Sequence, residues 1–377
     1  MLLVVLVVVA AHKLVVDQGG LLVRSVPPAG SPVKVRGRKN LPSGNSSRLP
    51  STIFSPRGDF PLVLEATNPA VTDPTRSLAA YAVAARTALD AALDIHGAVV
   101  FRGLPLSRSE DLGRFVSLLG LKSVFLEGGG TARSVVARGV RSASDEPADH
   151  TIEPHQDMAH NPLFPSKLAF MMLRGPPPGA GGETVLTNMR AVTRDMVAAG
   201  IVAAFERRGG VRYDKRLWSR NAAPNSTFTW QRRFFTDSKR EVDAALQRLP
   251  TDRGPTTWEW GPRDTLDFHT VLPPCTTHNR TGDTLFFNGI HTNHRDYFDL
   301  APHIDTSLGP PYDTSFADGT PIPGDMLAEI RGSWWKNSVA LTLETGDVAI
   351  LDNLIAGHGR LGWTPGVPRQ MLISHLL

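Results

Sequence analysis

Leu351-Asp352-Asn353-Leu354-Ile355-Ala356-Gly357-His358-Gly359-Arg360 closes the apolar run 348–351, and with His155-Gln156-Asp157 far upstream it decides how the chain is read. In an extended strand, residues i and i+2 share a face, so His155 and Asp157 are expected to point together into one pocket. His358, arriving behind an apolar strand, supplies a third donor from elsewhere in the fold. Two imidazoles and one carboxylate with open positions form a facial triad, the donor set of oxygen-activating non-haem iron. Each histidine taken alone has a plainer reading, a buried hydrogen-bonded side chain with no metal.

Spacing by itself does not select the site, because His-x-Asp occurs at His155/Asp157, His294/Asp296 and His303/Asp305. The first copy is preferred for its surroundings: Gly181-Gly182-Glu183-Thr184 follows it, and Arg369 lies beyond His358. The later copies lack such a turn and strand, and His303 follows Pro302 in a Pro- and Gly-rich region, which reads as loop. His160 follows His155 without the His-Glu-x-x-His pattern, so a zincin helix is not indicated.

Short apolar runs at 98–101, 167–173, 184–187, 284–287, 348–351 and 371–374 are separated by Pro and Gly clusters and are expected to be strands. Helices are expected at 76–95 and 109–119 ahead of most strands, and at 190–199, 238–247 and 325–330 between them. The chain holds 34 Gly and 30 Pro, enough for many turns, and 41% hydrophobic residues, enough for a substantial interior. Together these give a mainly β fold with flanking helices, a double-stranded β-helix or jelly roll. The domain is placed at 59–377, behind an N-terminal extension at 1–58.

The positive formal charge of +4 belongs to that extension, which has 8 basic residues and 1 acidic one, leaving the remainder with 32 basic against 35 acidic groups. Nucleic-acid binding is therefore not expected, and no motif for it is present. The apolar start at 1–11 is too short to span a bilayer but resembles the centre of a secretory signal. The Arg- and Ser-rich stretch that follows has transit-peptide composition, so entry to an organelle, plastid or secretory, is one expectation. A disordered tail on a cytoplasmic protein is the other. Cys275 is the only cysteine, so no intrachain disulfide can form. Oligomeric state is not legible.

The chain resembles the TauD/TfdA-like iron(II) and 2-oxoglutarate dioxygenases, most closely their plant clavaminate-synthase-like branch. The resemblance is carried by Gly97-Ala98-Val99-Val100-Phe101-Arg102-Gly103-Leu104-Pro105, His155-Gln156-Asp157-Met158-Ala159, Phe164-Pro165-Ser166-Lys167-Leu168, Gly181-Gly182-Glu183-Thr184, Phe287-Asn288, Ala317-Asp318-Gly319 and Gly346-Asp347-Val348 leading to His358. It implies His155, Asp157 and His358 as Fe(II) ligands, and Thr184 and Arg369 as the groups that hold 2-oxoglutarate. Arg360 is the alternative to Arg369, since it shares a strand face with His358 if that stretch is extended. A guanidinium meets a carboxylate bidentately as an ammonium cannot.

The implied reaction consumes 2-oxoglutarate and O2, releases succinate and CO2, and hydroxylates a small carboxylate-bearing or amino-acid-like molecule. Two departures from the branch are Asp157 where Glu is common and a longer stretch between His358 and Arg369. A carboxylate at 157 also disfavours halogenation, for which the family vacates that position. The rivals are a zinc hydrolase on the same ligands and a catalytically silent jelly-roll binding module. Arg232 and Arg233 are candidates to meet a substrate carboxylate. Seven tryptophans are present, and most are expected in cores rather than lining a pocket.

Overall fold

A computed structural model describes residues 15–18, 21–25, 53, 60–66, 74–126, 133–144, 146–224, 226–299 and 309–377. Two sheets face each other. One has nine strands in the order Val15–Gln18, Leu21–Ser25, Leu62–Ala66, Ala98–Arg102, Val348–Asp352, Lys167–Arg174, Gln370–Leu376, Val140–Ser142, Val135–Ala137. The other has four, in the order Ser338–Leu341, Thr184–Asn188, Ala356–Arg360, Ile152–His155.

The two-residue period of a strand explains how the large sheet is covered on both sides. Phe170 and Met172 turn inward and pack with Leu186, Leu341 and Ala356 of the smaller sheet. Ala169 and Met171 turn outward and pack with Leu89, Leu112 and Phe115. These last three belong to the helices Pro74–His96 and Ser109–Leu118. Ala98-Val99-Val100-Phe101 is apolar throughout because alternate residues serve the two cores, and all four are buried. The double-stranded β-helix expected from the apolar runs is the architecture formed.

The strand that carries His358 shows why its sequence is Gly-His-Gly. Ala356, His358 and Arg360 take one face, and on the other a Cβ at Gly357 would lie 2.5 Å from a Trp334 ring carbon. A Cβ at Gly359 would lie 2.8 Å from the Ile152 carbonyl oxygen. Close approach of a tryptophan and a neighbouring backbone leaves room only for glycine there.

Some expectations are corrected. The run at 284–287 forms the strand Thr284–Phe286, but it pairs with Cys275–Thr277 as a separate hairpin rather than joining either facing sheet. Phe286 is committed instead to the core beneath helix Met189–Ala198, where its amide donates to Thr193 Oγ1. A four-stranded sheet was not anticipated: Thr256–Trp260, Leu266–Leu272, Val211–Leu217 and Tyr312–Phe316. The helix expected at 325–330 continues to Lys336, because Trp334 and Trp335 extend its buried side.

Within the extension, Val15–Gln18 and Leu21–Ser25 pair with each other, and the second pairs with Leu62–Ala66 at the edge of the large sheet. Ile53 is buried against Val185, Trp335 and Leu361. The apolar start at 1–11 and the rest of the Arg- and Ser-rich stretch lie outside the described residues. No helix among the described residues is long and apolar enough to cross a membrane.

Candidate active site

Antiparallel pairing sets His358 directly opposite His155, so both imidazoles leave the small sheet on one face with ring centroids 4.4 Å apart. His155 Nδ1 lies 2.9 Å from the Glu153 carbonyl, to which it donates. That bond fixes the tautomer and leaves Nε2 with its lone pair. Burial, partly offset by Asp157, pushes the His155 imidazole down from its usual range. Burial and then His155 itself push His358 well down. Both rings are therefore neutral near pH 7, the form a metal requires. His358 Nδ1 is buried with no hydrogen-bond partner among the described residues.

Asp157 reaches the site differently from expectation. The strand Ile152–His155 ends at the histidine, and Asp157 opens the turn that follows, so shared strand facing does not place it. Beyond the ladder its backbone needs other partners, and Asn353 supplies them. The Asp157 amide donates to Asn353 Oδ1 at 2.9 Å, and Asn353 Nδ2 donates to the Asp157 and Pro165 carbonyls at 2.9 Å each. Asn353 thus fastens the segment after His155 to the segment before His358.

The Asp157 carboxylate has two partners that motif reading missed. Oδ2 lies 3.0 Å from Arg133 Nη1 and 2.9 Å from His375 Nε2. Burial raises the carboxyl, but Arg133 and His375 outweigh it and hold it well below the usual carboxylate range. Oδ1 has no hydrogen bond among the described residues. The one trio of metal-capable donors there whose ligand atoms all lie within 4.8 Å of one another is Asp94, His278 and Asp352. His155, Asp157 and His358 do not form such a group, and Asp157 Oδ2 faces Arg133 and His375.

The compact trio is already committed to structure. His278 Nε2 bonds Asp352 Oδ2 at 3.0 Å, Asp352 Oδ1 accepts the amides of Leu354 and Ile355, and Asp94 pairs with Arg280. It shapes the turn that leads to His358.

Beside the imidazoles, Thr184 and Arg369 stand next to each other. Arg369 Nε donates to the Gly182 carbonyl at 2.8 Å, and Nη2 lies 3.4 Å from Thr184 Oγ1. A Cβ at Gly182 would lie 2.8 Å from Arg369 Cδ, so the glycine makes room for the arginine. Nη1 makes no hydrogen bond among the described residues. Burial and Arg360 push the Arg369 guanidinium down from its usual range, while the Glu183 carboxylate favours its charge. Burial also raises the Glu183 carboxyl to about 7.

Arg360 shares the cavity face with His358, yet its guanidinium is engaged elsewhere. It donates to the carbonyls of Glu146, Pro147 and His150 and stacks on Trp363, 4.5 Å from the ring centroid. Its role is to fasten the segment 146–150.

His155, Asp157, His358, Thr184, Arg360 and Arg369 all line one cavity. Its far wall is aromatic, with Phe228, Phe298 and Tyr312 in mutual edge-to-face contact and Tyr297 against Phe298. Trp363 is the one tryptophan lining it; Trp218, Trp230, Trp334 and Trp335 are in cores. Arg233 Nη1 donates to the Tyr312 hydroxyl at 2.8 Å. Arg232 lines an outer basin that shares Arg133 with the cavity. Asn288 closes a turn through the Pro274 carbonyl and the Ile290 amide. His303 and Asp305 lie outside the described residues.

Comparison with known proteins gives one family: residues 64–374 match Taurine catabolism dioxygenase TauD, TfdA family. The chain is 28% identical over 278 residues to the dapdiamide synthesis protein DdaC of Enterobacter agglomerans, covering 72% of this chain and 80% of that protein. It is 27% identical over 327 residues to a clavaminate synthase-like protein of Arabidopsis thaliana, covering 84% and 93%. Among solved structures, a taurine dioxygenase from Burkholderia xenovorans is 16% identical with a TM-score of 0.45, covering 83% of this chain and 85% of that one.

Proposed function

We propose a role for each part of the cavity on one premise: the chain belongs to the TauD, TfdA family and is an iron(II)- and 2-oxoglutarate-dependent dioxygenase. Iron(II) held there would supply O2 activation, coupling decarboxylation of 2-oxoglutarate to succinate and CO2 with oxidation of a substrate C–H bond. His155 Nε2, His358 and the Asp157 carboxylate are the protein's three donors. Their chemistry fits: two imidazoles kept neutral by burial, one carboxylate kept ionised, and Nε2 of His155 left open by the bond at Nδ1.

Arg369 receives the far carboxylate of 2-oxoglutarate. Its Nη1 has donors to spare, Thr184 Oγ1 stands beside Nη2, and a charged planar donor in a buried setting suits a dianion. Arg360 supports this end by holding 146–150 and stacking on Trp363.

The substrate is a small carboxylate-bearing or amino-acid-like molecule that becomes hydroxylated. Arg232 in the adjoining basin favours an acidic group, and the aromatic wall favours an apolar body. The observation that carries the assignment is the convergence of His155, Asp157, His358, Thr184 and Arg369 on one cavity from separate strands and turns.

A panel of amino acids and small carboxylates, with succinate release followed and products weighed by mass spectrometry, tests it. One compound should raise succinate release and gain one oxygen atom. If only neutral or cationic compounds do so, the substrate class is wrong; if an acid is desaturated or cyclised without gaining oxygen, hydroxylation is wrong.

A further inference from the structure

We infer that His375 and Arg133 are positioning residues that clamp Asp157 Oδ2 and so dedicate Oδ1 to the metal. The inference rests on the reading of Asp157 as an iron ligand.

His375 lies on the strand Gln370–Leu376, opposite Leu168, and Arg133 lies just before the edge strand Val135–Ala137. The large sheet thus delivers both groups to a carboxylate that belongs to the turn after the small sheet. Both His375 and Asp157 are buried, so their 2.9 Å bond is sheltered from water. Arg133 Nη1 is 3.0 Å from Oδ2 and 2.9 Å from His375 Nε2.

The proton inventory selects one arrangement. A lone pair on His375 Nε2 would face the anionic oxygen, so Nε2 carries the hydrogen and donates to Oδ2. Arg133 Nη1 donates to the same oxygen, so its 2.9 Å approach to Nε2 is a contact between two donors that share one acceptor and not a hydrogen bond. With two donors, one of them a guanidinium, Oδ2 is poorly available to a metal, and Oδ1, without a hydrogen bond among the described residues, is the free donor. A carboxylate restricted to one oxygen occupies one coordination position and leaves the open positions that keto acid and O2 require. Asn353 fixes the backbone of Asp157 and the clamp fixes its side chain. Partners of this kind orient a ligand without touching the metal, and losing one costs roughly 10- to 100-fold in metal affinity.

The test is anaerobic calorimetric titration of the full chain with Mn(II), alongside thermal melting of each metal-free variant. H375L should bind Mn(II) about 10- to 100-fold more weakly than the wild type. H375Q, whose amide N–H can replace the lost donor, should recover most of that affinity. Should H375L fail to fold, R133M, which changes a less buried side chain, provides the comparison, with a loss of about 10-fold. Wild-type Mn(II) affinity in folded H375L or R133M would overturn the clamp. So would a loss in H375L that H375Q does not recover and that follows the drop in melting temperature. A wild-type chain that binds no Mn(II) would refute Asp157 as a ligand, and the clamp with it.

Discussion

The same three-residue pattern, His-x-Asp, folds into opposite arrangements at 155–157 and 294–296. In the second copy the two members face each other: the Asp296 amide donates to His294 Nδ1 at 3.3 Å and Asp296 Oδ2 lies 3.4 Å from the same nitrogen, while His294 Nε2 lies 3.9 Å from Asp313 Oδ1. In the first, each member is held by something else. His155 is tied to a main-chain carbonyl, and Asp157 is tied to Arg133, His375 and Asn353. At 155–157 remote groups hold the histidine and the carboxylate in separate hydrogen bonds. Neighbours, rather than spacing, separate the site from its imitation.

The sharpest way to break the comparison is Asp157→Ala, which removes the anionic donor and leaves Arg133 facing His375 without a carboxylate. Succinate release should fall to background, and a fully active variant would return this copy to the status of the other. Next in size is Asn353→Ala, which deletes three buried hydrogen bonds to the Asp157 and Pro165 backbone. Chemical denaturation should show a loss of about 2–3 kcal/mol; a loss near zero would mean that the turn holds itself.

Arg369→Ala should weaken 2-oxoglutarate by about 1.5–3 kcal/mol, the usual worth of a charged hydrogen bond, or roughly ten- to a hundredfold, while metal binding persists. Equilibrium binding of the keto acid to the Mn(II)-loaded protein measures this, and unchanged affinity would move the role to Arg360. The smallest effect belongs to the second copy. Asp296→Ala should leave metal affinity unchanged and stability within about 0.5 kcal/mol, as expected for a half-exposed side chain. A measurable change in metal binding there would undo the distinction between the copies.

The sheets were legible where strands are buried on both faces, since runs such as 98–101 and 348–351 have no polar residue to obscure them. The strand Val211–Leu217 was hidden for the opposite reason. Its outward positions are Arg212, Asp214 and Arg216, and Lys215 points inward to the carbonyl of His160 and to Asn161, so its alternation is masked by charge. The candidate donors His155, Asp157 and His358 and the candidate Arg369 were legible because residue type and order carry them, and all four line one cavity. Arg133 and His375 were not, because their partnership with Asp157 spans 24 and 218 positions and depends on which strands are neighbours.

Anaerobic addition of iron(II) and 2-oxoglutarate to the purified chain, followed in the visible spectrum, is the most direct test of the three-ligand centre. A weak charge-transfer band should appear in the wild type and in Asp296→Ala, and be absent from Asp157→Ala and His358→Ala. A band that survives loss of Asp157 or His358, or no band in a wild type shown to hold both iron and keto acid, would contradict it.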